Sequence, residues 1–96
     1  SNECLVSVPF TAKAGVDVEH MKADIIETVQ QATASLANPL YKPVVKLNGF
    51  TPYGIDGTIY AFAKNDLLLS TMVDAVAQAI AHADYLEHRA VSGSAE

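Results

Sequence analysis

The segment from Pro43 to Asn65, PVVKLNGFTPYGIDGTIYAFAKN, constrains the fold most, because it is a hairpin pattern between two helix patterns. Val44–Phe50 and Ile55–Ala63 both favour strands, and the turn residues Thr51–Gly54 separate them. Asp56-Gly57 offers a competing tight turn, but a turn there would place a proline inside a paired strand. The segment therefore predicts two strands joined at residues 51–54. Alternation along the first of them places Val44, Lys46, Asn48 and Phe50 on one side and Val45, Leu47 and Gly49 on the other.

A strand and a helix precede this hairpin. The apolar alternation over Cys4–Phe10 is typical of a strand, and Pro9 near its end favours either an edge strand or the exit from the strand, because proline has no N–H to donate to a neighbouring strand. Residues 11–16 are predicted to form a loop. Asp17 is a suitable N-cap for a helix that ends before Asn38-Pro39. Its predicted buried stripe is Val18, Met21, Ile25, Val29, Ala32 and Leu36.

A second helix pattern follows the hairpin, with Asn65 or Asp66 as its cap. Its predicted buried stripe is Leu69, Met72, Val73, Val76, Ile80 and Ala83. Alanines on the other faces of this helix indicate either that it contacts two neighbours or only that alanine favours helices. Both interpretations stay open.

These elements predict an α+β domain of the ferredoxin-like type, in the order β-α-β-β-α. A right-handed crossover places both helices on one face of a three-stranded sheet. The helices are expected to run to about twenty residues, or ~30 Å, and Gly57 marks a bulge or a close approach in the last strand. We expect one domain over residues 3–89, a processing scar at Ser1-Asn2 and a disordered tail over residues 90–96.

Composition excludes some classes of function. The net charge of −5, from 11 acidic against 6 basic residues, argues against nucleic acid as a partner. Only 18% of residues are charged, which indicates a partner-facing surface, with a well-packed monomer as the alternative. The single Cys4 cannot form an internal disulfide and suits a reducing compartment. No apolar run approaches the ~18 residues of a membrane span.

No group of residues indicates catalysis or a metal. His82 and His88 point to different sides of a helix and His20 lies on another one, whereas a zinc site needs three or four convergent ligands. Asp56 lies near Thr58 and Tyr60, but no partner for acid–base chemistry is indicated. We therefore expect a protein that is not an enzyme, with no cofactor and no metal site.

The chain resembles a known family in the residues of the hairpin and of the first strand. Pro43-Val-Val-Lys-Leu47, then Phe50, then Ile55-Asp56 and a strand ending Phe62-Ala-Lys-Asn65 are similar to the carboxy-terminal cytoplasmic α/β domain of small-conductance mechanosensitive channels. Val6-Ser-Val8-Pro-Phe10 with the helix start at Asp17 is similar too. The likeness covers about residues 3–85. The chain departs from the family at Thr51-Pro52-Tyr53, where the family has Gly-Asp-Ser, and it lacks the family's final strand.

This resemblance implies a function. The parent would be a ring-shaped, heptameric channel in the inner membrane, and this domain would belong to its cage on the cytoplasmic side. It would join copies of itself and filter solutes, and it would reach the membrane only through parts of the parent outside this sequence. The alternative is a stand-alone ferredoxin-like regulatory module that binds a small ligand.

Contacts between copies are predicted at Tyr53, on the turn, and at Tyr60 and Phe62, on the sheet face away from the helices. In the alternative, Tyr60 and Phe62 face the helices and form the core, with Ile59 and Ala61 outside. The register of the strand decides between them, because a shift of one residue exchanges the two faces.

Overall fold

The structure, a computed structural model, describes residues 4–87. In chain order its elements are β1 (Cys4–Lys13), α1 (Val18–Ala32), β2 (Val44–Thr51), β3 (Gly54–Ala63), a 3-10 turn (Asp66–Leu68) and α2 (Leu69–Ile80). The sheet has the order β1-β3-β2 with antiparallel neighbours, and both helices cover one side, here called the helix face. This confirms the predicted α+β, ferredoxin-like β-α-β-β-α fold. The predictions for Ser1-Asn2, His88 and residues 90–96 lie outside the described residues.

Strand β1 is an edge strand and is longer than predicted. Its even-numbered side chains from Val6 to Ala12 are buried against the helices. The predicted loop is wrong at residues 11–13, because they pair with β3 and also bond the segment after α2. The Lys13 N–H donates to the Tyr85 carbonyl (2.8 Å) and the Glu87 N–H donates to the Thr11 carbonyl (2.9 Å).

The position of Pro9 follows from the same geometry. Backbone groups alternate in direction along a strand, so the odd-numbered residues of β1 direct their N–H and C=O away from β3. Pro9 therefore lies where its missing N–H removes no bond between β1 and β3. Of the two predictions for Pro9, the edge strand is confirmed and the strand exit is wrong, because β1 continues to Lys13.

Helix α1 begins as predicted and ends earlier. The Asp17 carboxylate accepts from the His20 N–H (3.2 Å), which confirms this N-cap. The helix has 15 residues rather than about twenty, because residues 36–38 leave it to bond the edge of β3. Ala32 is exposed, contrary to the prediction, and Thr33 is buried instead, with its hydroxyl donating to the Val29 carbonyl (2.7 Å).

Helix α2 buries a narrower stripe than predicted. The Asn65 side chain accepts from the Leu67 N–H (3.0 Å) and caps the 3-10 turn that leads into the 12-residue helix. Met72, Val76 and Ile80 are buried, at a spacing of four residues. The prediction for Val73 is wrong, because it lies beside this stripe and is exposed.

The turn at residues 51–54 is confirmed, and the competing Asp56-Gly57 turn is wrong because both residues lie within β3. Gly57 is a point of close approach. A Cβ atom there would lie 2.5 Å from the ring of Phe10 and 3.0 Å from the Lys46 carbonyl oxygen. The missing side chain thus makes room for the Phe10 ring on the helix face.

A β-bulge near the end of β2 reverses the predicted orientation of Phe50. Leu47 pairs with Gly57, but Gly49 pairs with Asp56, so Asn48 is an extra residue in β2. Phe50 consequently pairs with the buried Ile55 and lies on the helix face, opposite to Val44 and Lys46. The predicted alternation, which assumed no bulge, had placed Val44, Lys46 and Phe50 on the same side of the strand.

Gly54 and Gly49 offer a matched test of backbone packing. Both have a positive φ, 158° and 156°, but a Cβ atom on Gly54 would collide with the Ala12 carbonyl oxygen, whereas Gly49 has open space. We expect Gly54→Ala to lower the free energy of unfolding by about 2 kcal/mol more than Gly49→Ala, because a backbone atom cannot rotate away. Urea denaturation measures both. Equal losses would contradict the assigned role of Ala12.

Candidate interaction surface

The side of the sheet away from the helices, here called the open face, carries large apolar side chains at one end. Tyr60 and Phe62 lie on this face half-buried, while their neighbours Ile59 and Ala61 are buried on the helix face. Together with neighbours on the outer strands they line a shallow concavity of about 320 Å³, here called the apolar depression. Its lining residues are Leu5, Val44, Lys46, Tyr60 and Phe62.

Cross-strand register brings these residues together. Leu5 of β1 lies opposite Phe62, and Val44 of β2 lies opposite Tyr60. Tyr41 packs on Phe62, with ring centroids 4.7 Å apart and ring planes inclined at 34°. The connection that carries Tyr41 is held to β3, because the Asn38 N–H donates to the Phe62 carbonyl (2.8 Å). The depression is therefore part of the sheet itself, and Tyr41 packs on Phe62 from outside it.

The other end of the open face is polar and internally hydrogen-bonded. The Thr11 hydroxyl donates to the Asp56 carboxylate (2.8 Å), and the Asn48 amide donates to the Thr58 hydroxyl (2.9 Å). Asp56, for which the sequence indicated no acid–base partner, thus bonds a neighbouring strand. Apolar surface suited to a macromolecular partner lies at the end with Tyr60 and Phe62.

The three predicted contact residues do not form one cluster. Tyr60 and Phe62 share the apolar depression, but Tyr53 lies in the hairpin turn at the far end of β3. Beside it is Phe50, 86% exposed, which sequence reasoning did not select as a contact residue. The sequence signal that could have identified Phe50 is Gly49. A glycine inside a strand indicates a bulge, and a bulge redirects the side chain that follows it.

The histidines and the helices yield two further findings. Among residues 4–87, no three His, Cys, Asp or Glu residues lie close enough together to hold a metal ion, and His20 and His82 are exposed on different helices.

Neither α1 nor α2 is long and apolar enough to cross a membrane.

A second concavity, of about 240 Å³, lies between the end of α1 and the connection to β2. Its floor includes Met72 and Ala61, and Gln30, Asn38 and Lys42 supply polar groups around it. Ligand pockets usually measure about 300–1,000 Å³, so this one suits only a small molecule.

Tyr85 is the residue whose acid–base behaviour the fold changes most clearly. Burial raises the pKa of its hydroxyl from 10.0 to about 12, and the carboxylates of Asp24 and Asp84 add to this effect. The hydroxyl oxygen is buried and has no hydrogen-bond partner among the described residues. Tyr85 also anchors the segment after α2 to β1 through its carbonyl, so it is a structural residue.

In comparisons with known proteins, no family model matches the chain and no curated protein matches it.

Replacement of Tyr60 by Asp distinguishes a surface role from a core role. Because Tyr60 lies on the open face and Ile59 is fully buried, we expect Tyr60→Asp to cost about 1 kcal/mol of unfolding free energy and Ile59→Asp about 4 kcal/mol or more. Circular dichroism with urea denaturation measures this. Unfolding of the Tyr60→Asp variant would contradict the assignment of Tyr60 to the open face.

Replacement of Tyr85 by Phe should change how stability depends on pH. The folded protein holds the Tyr85 proton more tightly than the unfolded chain, so this contribution is complete below pH 10 and is lost as the pH rises towards about 12. We expect the wild type to lose about 1 kcal/mol relative to Tyr85→Phe across this range, after allowance for partial solvent screening. At pH 7 the variant should be at least as stable, because its ring leaves no unbonded hydroxyl.

Unfolding curves at several pH values measure the difference between the two proteins. Tyr41→Phe serves as a control for the loss of a surface hydroxyl. Parallel pH profiles for wild type and Tyr85→Phe would contradict the assigned effect of burial.

Proposed function

We propose that this chain is a non-catalytic assembly domain in the cytoplasmic cage of a mechanosensitive ion channel. The observation that carries the proposal is the apolar depression, because half-exposed Tyr60 and Phe62 with Leu5 and Val44 form the kind of surface that partners cover. The resemblance of the hairpin and the first strand to the channel family supports it. The partners would be copies of the same chain, arranged in a ring on the cytoplasmic side of the inner membrane.

Such a domain contributes packing rather than chemistry. Aromatic side chains on a rigid sheet offer a large contact area with little loss of conformational entropy. The chain's net charge of −5 would bias the ions that enter a cage only weakly, because salt screens exposed charges beyond ~8 Å. Filtering of solutes would then depend mainly on the openings between subunits.

The coding region around this chain provides the first test. We expect it to encode hydrophobic spans upstream of this domain. The full-length parent, expressed in bacteria that lack their own mechanosensitive channels, should raise survival after hypo-osmotic shock and give tension-activated currents in membrane patches. A fused enzyme, or a parent without membrane spans, would contradict the proposal.

Tyr60→Asp in the full-length parent then tests the role of the open face. We expect fewer assembled channels and lower survival, because a buried, unpaired carboxylate opposes subunit contact. Leu67→Asp is the control, since Leu67 is 87% exposed and lies outside the open face. Normal assembly of the Tyr60→Asp channel would remove the open face from the proposal.

The second candidate function is a regulatory module that binds a small ligand in the concavity beside α1. Its polar groups, Gln30, Asn38 and Lys42, favour a small molecule with a negative group. This function is the second candidate because the volume of the concavity, about 240 Å³, lies below that of most ligand pockets. Chemical-shift changes confined to these residues on addition of small carboxylic acids, together with a parent that lacks membrane spans, would favour this candidate.

A further inference from the structure

The concavity beside α1 exists because the connection to β2 is longer than the sheet requires. Ala37 lies opposite Ala63, and β2 begins with Val44 opposite Tyr60. In an unbroken antiparallel ladder Tyr41 would lie opposite Ala63, so four extra residues are accommodated here. Both ends of the connection are held to β3. The extra length therefore loops outward and leaves a gap beside this strand.

This gap is more enclosed than the apolar depression of the open face. Ala61 and Met72 form its floor, and they are only 1% and 0% exposed, so the concavity reaches the hydrophobic core. Its volume is about 240 Å³, and a cavity of about 150 Å³ can hold benzene. The concavity therefore accommodates one compact apolar group, such as a six-membered ring.

The polar side chains around the concavity can donate hydrogen bonds. Lys42 supplies an ammonium group and Gln30 supplies an amide. The side-chain oxygen of Asn38 accepts from the Leu40 N–H (2.9 Å), which leaves its NH2 group to donate. Among the described residues that line the concavity none is acidic, although the chain has 11 acidic residues against 6 basic ones. This site therefore favours a negatively charged group, in contrast to the chain as a whole.

One wall of the concavity also belongs to the open face. Phe62 lines both the concavity and the apolar depression. Tyr41 lines the concavity and packs on Phe62, with ring centroids 4.7 Å apart. A group that fills the concavity thus lies against a ring pair that continues to the other side of the sheet.

We infer that this concavity binds a small carboxylic acid, and that the bound acid changes the open face through Phe62. The apolar body of the acid lies on Ala61 and Met72, and its carboxylate is held by Lys42 and Asn38. The inference goes beyond the proposed function and does not depend on it, because the site belongs to this chain whichever parent contains it. It would make the shape of the open face depend on a solute.

Titration of the chain with benzoate, followed by NMR, tests the inference. Benzoate combines one ring with one carboxylate, and a ligand of this size is expected to bind with a dissociation constant of about 1 mM. Benzamide has the same ring without the charge, and we expect it to bind about tenfold more weakly, because it lacks the charge-assisted bond. Benzoate should shift the signals of Asn38, Tyr41 and Phe62, and also those of Leu5 and Tyr60 on the open face.

Matched variants locate the site. Lys42→Gln removes the ammonium group that lines the concavity, and Lys46→Gln removes the one that lines the apolar depression. We expect the first to weaken benzoate binding about tenfold, the loss of one charge-assisted bond, and the second to leave it unchanged. Ala34→Leu should block the concavity, whereas Ala23→Leu changes another exposed alanine outside it. Circular dichroism checks that all four variants fold.

Four results would overturn the inference in distinguishable ways. No binding of benzoate at about 10 mM would exclude the site, and equal binding of benzamide would exclude a carboxylate as its ligand. A loss of binding in Lys46→Gln but not in Lys42→Gln would place the acid on the open face. Shifts confined to Gln30, Asn38 and Lys42 would exclude contact with Phe62. None of these results decides the channel function, which depends on the coding region and the currents of the parent.

Discussion

The alternation of side chains along β3 is the constraint on which the rest of the structure depends. This strand pairs with both neighbours over nearly its whole length, so its residues define both faces of the sheet. Its helix face carries small residues at three positions, Gly57, Ala61 and Ala63, whereas its open face carries Tyr60 and Phe62. The small residues leave room for the helices and for Phe10, and the large ones leave an apolar surface outside the core.

This arrangement explains why the core is complete without the aromatic residues of β3. The residues that fill it come from β1, from Val45 of β2, from α1 and α2, and from the aliphatic residues Ile55, Ile59, Ala61 and Ala63 of β3. Tyr60 and Phe62 cover only the outer side of a sheet that the helices already protect on the inner side. A stable monomer can therefore leave these side chains half-exposed without loss of its core.

Sequence patterns predicted the order of elements and the turn at residues 51–54, because those depend on local periodicity and on proline and glycine. The orientation of Tyr60 and Phe62 was left open, because β3 has apolar residues on both sides and either face could have been the core. Pairing with β1 resolves it: Phe10 must meet Gly57, and this register directs Tyr60 to the open face. The limits of β1 and α1 were wrong for a similar reason, since contacts distant in sequence extend one and shorten the other.

The bulge in β2 shows how a single extra residue changes which side chains each face of the sheet exposes. Asn48 adds one residue between the pairs Leu47–Gly57 and Gly49–Asp56, and every side chain beyond it changes face. Had Phe50 remained on the open face, it would have lain at the polar end of that face, on the same side as Asp56 and Thr58. By moving Phe50 to the other face, the bulge separates this exposed ring from the side of the sheet that carries Tyr60 and Phe62.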